Sequence, residues 1–294
     1  MLRTKTHDLK DKRILLTGAS SGIGRALVLA LAPHQVHMVL VARRASLLEQ
    51  LADEIVALGG KRPVILCADL SQSGVAKSIA EQALHALGSI DILINNAGTS
   101  IIGAQYVVGD DIAARAVFET NFWTPLALTH ALVPQMRSQG YGLIVNVTST
   151  LQAVPMPLLG TYCASKTALA RATQVLRHEL SHSPVHVLEV IPGGTDTPTR
   201  QNDQFLPLRK GPLRAPKLVS PESTAQAVIR AIQNGKDRVI HPRYAMIPIE
   251  LSIFGRLVGH IAARGIDTDS EQVINPDIAK HILLDKPIQD SSRI

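Results

Sequence analysis

"RILLTGASSGIG", residues 13–24, runs a short apolar stretch straight into a turn that carries three glycines. Ile14 to Leu16 show no polar alternation, which is the pattern of a strand covered on both faces. Gly18, Gly22 and Gly24 stand where that strand must give way to a helix. Glycine accepts left-handed backbone and lets another chain or a ligand approach closely. A helix starting near residue 22 turns its unpaired amides and positive dipole end toward the same place, which suits a phosphate. The spacing is G-x3-G-x-G rather than G-x-G-x-x-G. Any strand-to-helix turn can carry glycines. Placement after the first strand of a βαβ unit favours a dinucleotide, with Gly18, Ser20, Ser21, Gly22, Ile23 and Gly24 as the candidate contacts.

The same grammar repeats along the chain. Apolar runs lie at 13–18, 37–42, 63–69, 91–98, 142–149, 185–193 and 237–242, each ending in a turn or a polar residue. Segments of helical spacing, such as 45–58, 72–87 and 160–180, lie between them. Such alternation predicts an α/β fold with a doubly wound parallel sheet and helices on both faces. Ligands then bind at the carboxyl ends of the strands.

Composition sets outer bounds. The chain has 294 residues, 46% of them hydrophobic, enough for one large domain. Two cysteines and no Cys/His cluster argue against a disulfide scaffold and a structural metal. The polar start "MLRTKTHDLKDKR" leads to no expectation of a secretory signal, and a cytoplasmic location is expected. The net charge of +6 admits nucleic acid, a membrane surface or an anionic ligand as partner. Aromatics are only 3% and no recognised module is present, so nucleic acid is not expected.

The second strand ends "VLVARRAS". An acid there would hold the ribose 2′-hydroxyl of NAD. Ala42 occupies that place, and Arg43 and Arg44 follow. A guanidinium forks onto a 2′-phosphate, which favours NADP over NAD; the plainer reading is a solvated arginine pair. Asp69, followed by Leu70, either accepts from the adenine amino group or caps the next helix.

In "GTYCASKTAL", residues 160–169, Tyr162 and Lys166 are one helical turn apart. A phenol ordinarily titrates near pH 10. A neighbouring ammonium favours the phenolate and fits the group for acid–base work near neutrality. Ser149, thirteen residues earlier at the end of the fifth strand, offers a hydroxyl to a substrate carbonyl oxygen. Alone, Y-x-x-x-K is also an ordinary surface pair.

Six motifs in register together resemble the short-chain dehydrogenase/reductase family, over about residues 11–242. They are "TGASSGIG", "NNAG" (95–98), Asn121 in "ETNFWTP", "NVTST" with Ser149, "YCASK", and "PGGTDT" (192–197). The resemblance implies a Rossmann-type domain over 1–242, with a C-terminal extension over 243–294. It implies Tyr162 as the acid/base and Lys166 as its partner and holder of the nicotinamide ribose. Ser149 would orient the substrate oxygen, and Asn121 would keep a helix irregular and position a water near Lys166. Asn96, Ala97 and Gly98 would contact the cofactor, and Pro192, Gly193, Thr195 and Thr197 its nicotinamide end. Thr148 stands where the family often has a second serine. A homodimer or homotetramer is expected from the same resemblance.

The substrate side is less legible. Residues 198–218 are rich in Pro and basic residues; they form either a lid that meets an anionic substrate or a solvated loop. Leu151, Val154, Met156, Leu158 and Leu159 make either an apolar pocket wall or a connecting loop. In 243–265, Leu251, Phe254, Val258 and Ile261 recur at helical spacing while Arg256, His260 and Arg264 fall on another face. Docking on the protein's own core, a lid, a subunit contact and peripheral membrane contact all fit that helix. The reading adopted is an NADP-dependent oxidoreductase that interconverts a carbonyl and a secondary alcohol on a small, hydrophobic or lipid-like substrate. A non-catalytic NADP-binding redox sensor is the alternative.

Overall fold

In a computed structural model, residues 7–197 and 218–268 are described. All seven apolar runs become strands: β1 (Arg13–Thr17), β2 (His37–Ala42), β3 (Val64–Cys67), β4 (Ile92–Asn95), β5 (Gly142–Val147), β6 (Val185–Pro192) and β7 (Arg238–His241). They form one parallel sheet in the order β3-β2-β1-β4-β5-β6-β7.

The missing polar alternation has a direct structural counterpart. Leu16, Leu40, Ile94, Val145 and Leu188 sit in register across the sheet and face one layer of helices. That layer contains α1 (Gly22–Leu31), α2 (Ala45–Ala57) and, near the end of the chain, α8 (Pro221–Gln233). Their neighbours Leu15, Val39, Leu93, Ile144 and Val187 face the opposite layer. There lie α3 (Val75–Leu87), α6 (Thr124–Ser138) and the C-terminal part of α7 (Gly160–Glu179). Each such side chain, removed fully from water, contributes about 1.5–3 kcal/mol before entropy is counted. Both faces of every central strand are therefore apolar, as a doubly wound sheet requires.

β2 ends at Ala42 as predicted, and the other six strands stop one to three residues before the predicted ends. Gly18, Asp69, Asn96 to Gly98, Ser149 and Gly193 consequently lie in loops at the carboxyl edge of the sheet. At Gly18 the reason is local: its φ of 71° leaves the extended region. β1 and β4 are neighbours although three strands apart in order, and the strand order reverses between them. The crevice at this switch point is where a ligand has room.

Two shorter helices, α4 (Gln105–Val108) and α5 (Ile112–Phe118), precede α6, and α5 joins α6 through a π-helical turn at Glu119–Trp123. Beyond β7 the extension begins with a 3-10 turn at Arg243–Ala245 and continues as α9 (Met246–Glu250) and α10 (Ser252–Arg264). Most of the 198–218 loop, and the end of the chain past residue 268, lie outside the described residues.

Candidate active site

The turn after β1 is built around close backbone contact. Gly18 and Gly22 both have left-handed φ, 71° and 53°. A Cβ on Gly24 would collide with the Gly18 carbonyl oxygen, and one on Gly18 would lie 2.7 Å from the Ala97 Cα. The glycines thus let α1 and the end of β4 approach the turn together. Asn96 fastens the arrangement: its side-chain amide donates to the carbonyl oxygens of Thr17 (3.0 Å) and Gly18 (3.2 Å). Thr17 returns the bond, its Oγ1 accepting from the amides of Asn96 and Ala97 at 3.2 Å each. Asn96 is therefore a brace of the turn. Thr17, which the sequence reading passed over, is its counterpart; a hydroxyl at the last position of β1 was the available signal.

The N-terminus of α1 has no side-chain cap, and no acid stands in its first turn. The Ser20 and Ser21 hydroxyls instead accept from the Arg44 guanidinium at 3.1 and 3.0 Å. Burial, and then the charge of Arg43, hold the Arg44 pKa below its ordinary value. Among the described residues no carboxylate pairs with Arg44. Arg43 is exposed and lies near Asp69. Asp69 accepts from the Ser71 amide (3.0 Å) and hydroxyl (2.9 Å), so it does close a local turn. Burial alone would raise its pKa; the Ser71 bonds and Arg43 outweigh this and lower it. Leu70 is buried, and its carbonyl oxygen accepts from Thr124 Oγ1 at 3.0 Å. Ile23, in the first turn of α1, packs against the core. Uncapped helix amides, hydroxyls and an unpaired guanidinium converge at one turn. This donor set fits the phosphates of a nicotinamide dinucleotide.

The residues of the fifth strand and α7 meet at the same edge. Lys166 is fully buried, and its ammonium donates to the Val147 carbonyl oxygen at 2.9 Å. Burial depresses its pKa to about 8. Gly98 leaves space for it: a Cβ there would stand 3.3 Å from Lys166 Nζ and 3.6 Å from Asn121 Oδ1.

Asn121 lies inside the π-helical turn and is 0% exposed. Its Oδ1 accepts from the Thr99 amide, and its Nδ2 donates to the Thr99 carbonyl oxygen, both at 2.9 Å. The same Nδ2 donates to Ser165 Oγ at 3.0 Å, and Ser165 Oγ donates to the Tyr162 carbonyl oxygen at 2.8 Å. The irregular helix expected around Asn121 is thus present. Ser165, inside the "YCASK" motif, is a link the sequence reading did not single out; its place one residue before Lys166 was the only hint.

Tyr162 is half-buried in the first turn of α7. Ser149 is nearly buried and sits just past β5, where its Oγ accepts from the Leu151 amide at 3.2 Å. That bond occupies a lone pair and leaves the hydroxyl hydrogen for a substrate oxygen.

Thr148 donates to Glu189 Oε1 (3.2 Å) and the Val190 carbonyl oxygen (3.1 Å), so it belongs to the sheet. After β6, which ends at Pro192, Gly193 bonds to the His241 carbonyl oxygen at 2.7 Å. The buried Thr195 donates to the Gly193 carbonyl oxygen at 3.1 Å, and Thr197 is half-buried. Of the expected apolar wall, Leu158 and Leu159 are buried with Ile102 and Ile266, and Leu151 and Met156 pack against them. Among the described residues no group of acidic, His and Cys side chains could hold a metal ion.

Known proteins resemble this chain in sequence and fold. The family model described as short chain dehydrogenase matches residues 12–205, about two thirds of the chain. The ketoacyl reductase HetN of Nostoc sp. is 35% identical over 237 residues, 79% of each chain. A short-chain dehydrogenase from Sphingobium yanoikuyae, solved in complex with NADPH, superposes with a TM-score of 0.72 at 26% identity, covering 85% of this chain and 95% of its own. A short-chain dehydrogenase/reductase from Burkholderia phymatum, solved in complex with NAD, shares the fold with a TM-score of 0.73 at 23% identity, covering 85% of this chain and 97% of its own. The chain belongs to the short-chain dehydrogenase/reductase family and is an NAD(P)-dependent oxidoreductase.

Proposed function

We propose that the protein uses NADP(H) to interconvert a carbonyl and a secondary alcohol on a hydrophobic, acyl-like substrate. The observation that carries the cofactor choice is Arg44. It lies two residues past β2, whose last residue Ala42 stands in place of an acid, and it is held on Ser20 and Ser21 with no carboxylate partner among the described residues. A 2′-phosphate supplies the missing anion. The substrate class is supported by the apolar side chains after Ser149 and by the likeness to a ketoacyl reductase.

The bound nicotinamide supplies the hydride. The chain's own residues do the rest. Ser149 donates its hydroxyl hydrogen to the substrate oxygen and fixes it. Tyr162 gives that oxygen its proton in reduction and takes it back in oxidation. Lys166 sits one turn along the helix and favours the phenolate by its charge. Asn121 and Ser165 hold the first turn of α7 against the residues after β4. A homodimer or homotetramer is proposed on family grounds.

Titration of the purified protein with NADPH and NADH, followed by a panel of 3-oxoacyl thioesters and simple ketones, tests the reading. NADPH oxidation with the acyl substrates, lost in Tyr162→Phe with NADPH still bound, is expected. Equal affinity for both cofactors would overturn the NADP assignment. Turnover confined to small polar ketones would overturn the substrate class.

A further inference from the structure

The extension is folded inside out relative to a helix that docks on its own core. Viewed along α10 at about 100° per residue, it has three sectors. Gly255 and Gly259 form the sector turned inward. A Cβ on Gly255 would strike the Ala153 carbonyl oxygen, and one on Gly259 would lie 2.6 Å from the Pro155 carbonyl oxygen. The helix therefore rests by bare backbone on the segment that follows Ser149. Ile253, Phe254, Leu257, Val258 and Ile261 form a second sector and are 38–72% exposed. Arg256, His260 and Arg264, all exposed, form the third, along one border of the apolar sector.

Ordinary surfaces scatter their exposed apolar residues singly. Here nine of the fifteen exposed large apolar side chains among the described residues fall between Tyr244 and Ile261. The single acid of this stretch, Glu250, is taken by Arg238 at 2.7 Å. A large apolar patch is left exposed, bordered by Arg256 and Arg264, which have no acidic partner among the described residues.

We propose that this face docks on an anionic phospholipid bilayer. The charge pattern decides between a bilayer and a second copy of the chain. A two-fold contact lays the patch against itself and brings Arg256 and Arg264 near their own equivalents with no acid between them. Anionic headgroups pair with those cations while the apolar sector enters the acyl boundary, and the arginine stems snorkel between the two. The contact is taken as peripheral: no single described helix is long and apolar enough to cross a membrane, and the two arms of the extension, which together have the length and apolarity of a span, are bent by 106°. Because α10 sits on residues 153–155, docking brings the segment beside Ser149 to the lipid surface. Presentation of a membrane-dissolved substrate there rests on the proposed function; the docking itself does not.

The test is co-sedimentation of the full chain with vesicles of phosphatidylcholine alone and of phosphatidylcholine mixed with phosphatidylglycerol, read without substrate. The wild type is expected to pellet with the mixed vesicles. Ile253→Glu combined with Leu257→Glu should weaken that binding by at least about tenfold, with unchanged Tm and NADPH affinity. Arg256→Gln with Arg264→Gln should reduce the preference for mixed over neutral vesicles. A wild type that stays in the supernatant, or a double Glu variant that pellets equally, overturns the proposal. If the wild type ignores vesicles and the Glu variant halves the mass seen by sedimentation velocity, a second copy covers the face. If it lowers Tm instead, the chain's own C-terminal residues do. Either result also overturns it.

Discussion

Lys166 Nζ donates to the Val147 carbonyl oxygen at 2.9 Å from a fully buried position, beside a glycine that leaves it no more room than it needs. Burial without a carboxylate lowers its pKa from 10.5 to about 8. Between those values the unfolded chain holds the proton and the folded chain has released it. Stability therefore rises with pH across that window and is fully present only above 10.5. It is lost as pH falls through about 8. The integrated effect is about 3 kcal/mol. Lys166→Met should remove this slope and raise apo-protein stability below pH 8 while abolishing turnover. Urea unfolding of both proteins near the two ends of the window checks it. Parallel stability curves would contradict the buried ammonium.

Asn121, Ser165 and the Tyr162 carbonyl oxygen form a chain of hydrogen bonds at 3.0 and 2.8 Å. Asn121→Ala leaves the half-buried Thr99 amide and carbonyl without their partner. It should cost about 3 kcal/mol and loosen the first turn of α7. Ser165→Ala is milder, about 1 kcal/mol, and isolates the positioning effect. We expect it to lower kcat severalfold and leave KM nearly unchanged, because Tyr162 and not substrate binding is disturbed. A rise in KM alone would assign Ser165 to the pocket rather than to the helix turn.

The sheet and most of this site were legible because they rest on short-range patterns. Seven apolar runs without alternation fix a two-faced parallel sheet, Gly18 ends the first of them, and Tyr162 and Lys166 share one helix whose period is read directly. Thr17, Ser165 and Glu189 were not legible. Their distant partners are 41 to 80 residues away and others lie on backbone atoms, and a lone hydroxyl or acid in a strand has no local signature. The extension is a different case. Its helical period was visible in Leu251, Phe254, Val258 and Ile261, but which sector turns inward depended on Gly255 and Gly259 fitting Ala153 and Pro155. Tertiary contact of small residues overrode the usual rule that the apolar sector is buried.

Arg44 offers a discriminating cofactor test. A guanidinium on a phosphate contributes about 1.5–3 kcal/mol, roughly ten- to a hundredfold in Kd. Arg44→Ala should weaken NADPH by that factor and NADH only slightly, the small loss reflecting Ser20 and Ser21 released from its grip. Arg43→Ala, which alters an exposed group beside Asp69, should have the smaller effect of the two. Fluorescence titration with both cofactors is sufficient. An equal loss for NADH and NADPH in Arg44→Ala would confine Arg44 to shaping the turn.

Glu189 is 0% exposed within β6, and only Thr148 and Arg238 answer its carboxylate among the hydrogen bonds and ion pairs described: Oε1 accepts from Thr148 at 3.2 Å and Oε2 lies 3.3 Å from Arg238 Nε. The same guanidinium reaches Glu250 in the extension. Removing one partner of a buried pair strands a charge, so Arg238→Ala should destabilise by about 3 kcal/mol, the low end of the range because Arg238 is 30% exposed. Glu250→Gln breaks only an exposed pair and should cost under about 1 kcal/mol. Glu189→Gln keeps the Thr148 bond and removes the charge; combined with Arg238→Ala it should recover most of the loss. Thr148 adjoins Ser149, so the singly substituted Arg238→Ala should also lower kcat, and the double variant should restore it. Chemical denaturation and steady-state kinetics on the three variants decide the matter. A double variant no more stable than Arg238→Ala would show that Arg238 acts by packing on the sheet edge rather than by neutralising Glu189.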